Sequence, residues 1–261
     1  MQLQTLHGLT LLAFAGLLVR LYLEGLHDRY RTFFWALAFE LGTSVLLFFI
    51  PPKSDLYGLT YFAASGFNWA LRFLVLRELC LLVFHDHPGI RAAVRIGIVV
   101  SSILAMVIPA TMLAVNPHRA AKPEFPYLEL YFLLEQSMTF FLAVLFAGTI
   151  AFVTWFPVSL RRNIVLFCLG FSIRFIGEGG ALLTRNLTES ETIRNWANTG
   201  NMIVGLAVPL LWLGSLGWAG EKPLVSVSEL LRPGHAEESL DLLNRVNAFL
   251  TRVLPNKQSD K

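Results

Sequence analysis

Charged residues are scarce in this chain. They make up 15% of its 261 residues, while 55% are hydrophobic and 13% aromatic; soluble domains carry roughly 25% charge. That deficit excludes an ordinary water-soluble domain, and the mean hydropathy of +0.58 agrees. Cysteine is nearly absent: Cys80 and Cys168 both lie inside apolar runs, so no extracytoplasmic disulfide framework is expected. Period-two alternation of apolar and polar residues, the mark of a transmembrane β-barrel, is also missing. Nor do the basic residues gather. The formal net charge is +3, but Lys and Arg are spread among short connections, which argues against nucleic acid as a partner. No Lys or Arg precedes the first apolar run in Met1-Gln2-Leu3-Gln4-Thr5, and no small-residue cleavage site is evident. That run therefore reads as a retained helix rather than a signal peptide.

What the chain does contain is long apolar runs. They cover Leu6–Leu26, Thr32–Ile50, Leu56–Phe84, Ala92–Val115, Tyr127–Pro157, Asn163–Leu183 and Trp196–Trp218. Each reaches the roughly 20 residues that cross about 30 Å of hydrocarbon at 1.5 Å per residue. Pro51-Pro52, Pro88-Gly89, Asn116-Pro117 and Pro157 punctuate them, as residues that cannot easily continue a helix should. The expected fold is all-α: a polytopic bundle of seven transmembrane helices over residues 1–220, in contact with the lipid bilayer. A cytoplasmic tail follows over residues 221–261. There Leu240, Leu243, Val246, Phe249, Leu250, Val253 and Leu254 recur at helical spacing, which predicts an amphipathic helix over Ser239–Leu254 at the membrane interface.

Arginine placement orients the bundle. Arg20, Arg29, Arg31, Arg91, Arg95, Arg161 and Arg162 fall on one side, which the positive-inside rule makes cytoplasmic. Lys53, Arg119, Lys122, Arg185 and Arg194 fall on the other, and Lys222 and Arg232 in the tail add to the first. The N-terminus is thus expected outside and the C-terminus in the cytoplasm, in the cell membrane. Trp35, Trp155 and Trp218 suit the inner interface, and Tyr57, Tyr61, Tyr127, Tyr131 and Trp196 the outer one. Asn186-Leu187-Thr188 fits a glycosylation sequon on the outer side. A faint internal order pairs Glu40 with Glu135, Arg72-Phe73 with Arg174-Phe175 and Pro109 with Pro209. A real repeat of three helices would be inverted, as in many transporters.

The residues that point to function are ionisable groups within the apolar runs: Glu40, Arg72, Arg77, Glu78, Glu135, Arg174 and Glu178. An unpaired charge at mid-bilayer costs roughly 2.5–3.5 kcal/mol, so they should face the bundle interior. Arg174 and Glu178, four apart, share a helix face, as do Asn68 and Arg72. Glu40, Asn68, Arg72, Glu135, Arg174 and Glu178 are therefore expected to form a polar core or a ligand-binding site. Such a core fixes helix packing, binds a small anion through its guanidinium forks, or carries a proton on Glu40 or Glu135.

His27-Asp28 and His85-Asp86-His87 follow the first and third runs on the same expected face. They are metal-compatible side chains and the best enzyme clue, with turn residues beside Pro88 as the plainer reading. No cofactor is specified. The seventh run has no Lys for a retinal Schiff base, and no intramembrane His pair suits a haem. The topology is similar to that of G-protein-coupled receptors. However, the third run ends in Phe84-His85-Asp86-His87 and the seventh holds Val208-Pro209-Leu210, so the marking motifs of that family are missing.

Three functional classes are consistent with this pattern. The leading one is a sensor of a small ligand or of the membrane environment that acts through a separate cytoplasmic protein partner. A transporter of a small anionic solute comes next, and a membrane-embedded metal-dependent enzyme third.

Overall fold

The structure, a computed structural model, describes residues 2–51, 54–115, 126–156, 161–188, 190–221 and 236–254. Among them the chain is all-helical, without strands. The α-helices in chain order are α1 (Gln2–Leu23), α2 (Leu26–Arg29), α3 (Arg31–Phe49), α4 (Asp55–Val83) and α5 (Pro88–Val115). They continue with α6 (Pro126–Trp155), α7 (Arg162–Leu187), α8 (Glu191–Ser215) and, after a 3-10 turn at Trp218–Glu221, α9 (Ala236–Val253). Pro52, Lys53, Asn116, Pro117, Arg119, Lys122, Pro157, Lys222 and Arg232, used above to punctuate and orient the runs, lie outside the described residues.

Local chemistry sets the helix ends. Gly25 turns the chain between α1 and α2 at φ +67°, a conformation that costs glycine little and an L side chain much. The Ser54 hydroxyl accepts a hydrogen bond from the Tyr57 backbone N–H at 3.2 Å and caps α4. Pro88 opens α5 and Pro126 opens α6, positions where the missing N–H would have no helical partner anyway. α3 lacks a cap of its own, and Glu78 of α4 supplies one. Its carboxylate accepts hydrogen bonds from Thr32 N at 3.0 Å, Thr32 Oγ1 at 3.1 Å and Phe33 N at 3.2 Å, placing negative charge at the positive end of the helix dipole.

Six of the described helices are long and apolar enough to cross a membrane. The spans are Thr5–Leu23, Arg31–Phe49, Pro88–Val107, Leu134–Phe152, Arg162–Thr184 and Glu191–Ser215. The chain is an integral membrane protein, with apolar helices suited to contact with lipid. Seven runs were expected, and α4 is the difference. It forms an unbroken helix of 29 residues, but Asp55, Arg72, Arg77 and Glu78 along it keep it out of the apolar set.

Consecutive helices pack as neighbours from α3 to α8, and α8 returns against α1, which also touches α3. α4 packs against α6 and α7 as well as α3 and α5. Its lower half is correspondingly buried at Val75, Leu76, Leu79 and Cys80. One aromatic cluster joins α3, α7 and α8. Phe33 lies edge-on to Phe167 at 4.5 Å and to Trp212 at 5.1 Å, and Phe171 lies 5.0 Å from Trp212. Trp212 is fully buried, and its indole N–H donates to the Leu166 carbonyl of α7 at 3.0 Å. Gly170 admits that ring, since a Cβ there would stand 2.5 Å from the indole nitrogen.

α9 packs on α5. Asn247 Oδ1 accepts hydrogen bonds from the Gly89 N–H at 2.8 Å and the Ile90 N–H at 3.4 Å, capping the start of α5 from outside that helix. Gly89 permits the approach, because a Cβ there would lie 2.4 Å from the Asn247 carbonyl oxygen. The apolar residues of the expected tail helix divide between two directions. Leu243 is buried among the bundle helices, while Val246, Phe249 and Val253 stay exposed, with Leu242 beside them.

Candidate functional site

Glu40 stands at the midpoint of the span Arg31–Phe49, and Arg174 is one residue past the midpoint of Arg162–Thr184. At this depth the structure joins four charged side chains from α3, α4 and α7. The Arg174 guanidinium donates to the Glu40 carboxylate through Nη2 and to Glu178 Oε1 through Nε at 3.1 Å. Glu178 then receives a two-pronged contact from Arg72, Nη1 to Oε2 at 2.8 Å and Nη2 to Oε1 at 3.3 Å. The order is Glu40, Arg174, Glu178, Arg72, with two charges of each sign and no net charge.

The low exposure of these side chains makes the pairing matter. Arg174 is 9% exposed, Arg72 13%, and the two glutamates 19% each. Bidentate guanidinium–carboxylate contacts are among the strongest hydrogen-bonded pairs, and removing one partner of a buried pair strands the other. Aromatic faces complete the surroundings: Arg72 lies 5.4 Å from the centre of the Phe175 ring and Arg174 5.7 Å from that of Phe14. A void of about 20 Å³ adjoins the chain, lined by Glu40, Asn68, Arg72 and Arg174 together with Phe171 and Trp212. That is room for about one water molecule.

Of the six residues singled out for a polar core, five therefore meet here, four by ion pairing and Asn68 along the void. Glu135 is half-buried on α6 and is not among the residues lining the void. Arg77 and Glu78, also within the third run, lie elsewhere: Glu78 caps α3, and Arg77 lines a separate cavity at the end of the bundle where α4 ends and α5 begins.

A second polar cluster, near that end, escaped sequence reading. Its hub is Glu221, whose side chain is 7% exposed. Glu221 accepts hydrogen bonds from Tyr30 Oη at 2.8 Å and Asn163 Nδ2 at 2.6 Å, and pairs with Arg29 at 2.8 Å and Arg161 at 3.0 Å. Burial first, then the Glu221 carboxylate, holds the Tyr30 phenol well above its ordinary range, so it remains a proton donor. The cluster ties the segment after α8 to the starts of α3 and α7. No local signal marks it, because Glu221 lies 191 residues from Tyr30 and 58 from Asn163.

The metal-compatible side chains do not converge. His27 Nε2 lies 3.6 Å from its neighbour Asp28, and His85 Nδ1 lies 3.0 Å from its neighbour Asp86, both contacts within their own turns. His87 Nε2 is buried without a hydrogen-bond partner among the described residues. Among the described residues no group of three or more His, Cys, Asp or Glu side chains is placed to hold a metal ion.

Comparison of the chain with protein-family models, with curated proteins and with solved structures finds no match.

Proposed function

We propose that the chain is a seven-helix membrane protein of the cell membrane that senses a small ligand or the state of the bilayer and passes a helix rearrangement to a separate cytoplasmic protein. The observation that carries this reading is the charge chain at mid-depth. It ties α3, α4 and α7 together through contacts that are either made or broken, and a packed element with two discrete arrangements is what a ligand or a membrane can bias. The small void weighs against the alternative, transport of a small anionic solute, because the carboxylates already occupy both guanidinium groups and leave space for one water. Packing of α4 against four other helices, with Arg72 and Glu78 both partnered, supports α4 as the seventh span despite its charges.

Uptake by sealed vesicles discriminates the two readings. Vesicles carrying the protein should accumulate radiolabelled phosphate or small carboxylates no faster than protein-free vesicles. Accumulation that disappears in Arg72→Gln would replace sensing by transport.

The proposed orientation puts the N-terminus outside, with Arg29, Arg91, Arg95, Arg161 and α9 on the cytoplasmic side. α9 then lies at the inner interface, with Val246, Phe249 and Val253 toward lipid. Cysteine labelling with a membrane-impermeant maleimide in intact cells checks the orientation. Both native cysteines are buried, so background should be low. Arg194→Cys, at an exposed site at the start of α8, should label, whereas Arg162→Cys should label only after the cells are opened. The reverse pattern inverts the topology.

A further inference from the structure

Where α4 ends and α5 begins, a cavity of about 770 Å³ is lined by four arginines, Arg29, Arg77, Arg91 and Arg95, against one carboxylate, Glu78. Glu78 already accepts three hydrogen bonds at the start of α3, and Arg29 pairs with Glu221. His85, at the same cavity, pairs with the exposed Asp86. Arg77 and Arg95 are exposed and make no ion pair with another described residue. Arg91 and Arg95 are four apart on one face of α5, which brings two like charges to the same side of the cavity. A positive-inside bias puts arginines at this end of the bundle, but it does not require them to converge on one cavity.

Apart from Thr32, whose hydroxyl already donates to Glu78, the rest of the lining is apolar. Leu82 and Ile96 belong to α4 and α5, and Leu254, just past α9, contributes to the same wall. Ile96 directly follows Arg95 and is exposed, and both lie within the first half of the α5 membrane span Pro88–Val107. Guanidinium groups thus meet apolar surface in one cavity at the end of α4 and the start of α5. Basic pockets between helices at a membrane surface suit phosphate headgroups.

We propose that this cavity binds the phosphate headgroup of an anionic phospholipid, with Arg77 and Arg95 as its main ligands and Ile96, Leu82 and Leu254 against the first acyl segment. The inference stands apart from the sensing proposal, since it needs only that this end of the bundle meets the membrane surface. It also gives α9 a structural part in the site, because docking through Asn247 and Gly89 holds the chain leading to Leu254.

The test uses the full chain, purified and delipidated in a non-ionic detergent. Thermal unfolding and native mass spectrometry are followed as phosphatidylglycerol, phosphatidylcholine or inorganic phosphate is added. Phosphatidylglycerol should raise the unfolding midpoint and remain bound in the spectrum, and the other two should do neither. Arg77→Gln and Arg95→Gln should each weaken the apparent affinity for phosphatidylglycerol by about tenfold, the loss of one charge-assisted hydrogen bond. They should not lower the lipid-free midpoint, because each removes a like charge. Arg162→Gln, an exposed change elsewhere on the same expected face, is the control for general surface charge and should leave binding intact. The proposal is overturned if inorganic phosphate reproduces the shift, if phosphatidylcholine binds as well, or if Arg162→Gln weakens binding as much as the cavity variants. Because the unaltered protein must itself prefer phosphatidylglycerol, the outcome does not depend on any variant folding.

Discussion

Arg174→Gln should be among the most destabilising single substitutions in the protein. Arg174 is the only side chain in the buried chain that contacts both glutamates. Removing its charge leaves Glu40 without its cation and Glu178 with Arg72 alone. Breaking a buried ion pair on one side costs about 3–5 kcal/mol, because the remaining charge is stranded where water cannot solvate it. Thermal or denaturant unfolding in detergent reads this directly. Arg72→Gln should cost less, since Glu178 keeps the Arg174 Nε contact at 3.1 Å. Adding Glu40→Gln to Arg174→Gln should recover part of the loss by removing the stranded carboxylate, a non-additivity expected only of side chains in direct contact. Parent-like stability in Arg174→Gln, or strict additivity in the double variant, would sink the view that these charges compensate one another.

The same network shows how far the sequence could be read. Helix positions were legible because apolar runs and prolines are local signals: Thr32–Ile50 was expected and Arg31–Phe49 is found, Leu56–Phe84 was expected and Asp55–Val83 is found. The Arg174–Glu178 pair was also within reach, since four residues is one helical turn. The partner of Arg72 was not. Glu178 lies 106 residues away, and by sequence Glu40 and Glu135 were the interhelical partners open to the arginines, so the choice rests on how α3, α4 and α7 cross. Glu221 was missed for a related reason. It follows the last apolar run and reads as the first residue of a polar tail, yet the 3-10 turn at Trp218–Glu221 folds it back onto Tyr30, Arg29, Arg161 and Asn163. The division of the tail helix is likewise set by tertiary contact. Helical spacing marks one apolar stripe, but it is Gly89 against Asn247 that decides which part of the stripe meets α5.

Gly170→Val should produce the second large loss, through shape rather than charge. A Cβ at 170 would stand 2.5 Å from the Trp212 indole nitrogen and 2.6 Å from the adjoining ring carbon, closer than any relaxed carbon contact. Trp212 cannot yield easily, because Phe33 and Phe171 hold the ring at 5.1 and 5.0 Å. If the ring moves, its N–H leaves the Leu166 carbonyl and becomes an unsatisfied buried donor. Overpacking costs about 1–3 kcal/mol, and an unsatisfied donor adds about 1–3 kcal/mol. Gly180→Ala in the same helix is the matched control, since nothing lies within 4 Å of a Cβ there, and it should be neutral or slightly stabilising through helix propensity. Trp212→Phe removes both the N–H and part of the ring. Its own stability should be below the parent, but introducing Gly170→Ala into that background should cost less than in the parent. Unfolding midpoints of the parent and these five variants decide the matter: equal stability of Gly170→Val and Gly180→Ala, or an unchanged cost of Gly170→Ala with Phe at 212, would show that the close approach of α8 to α7 does not depend on this glycine.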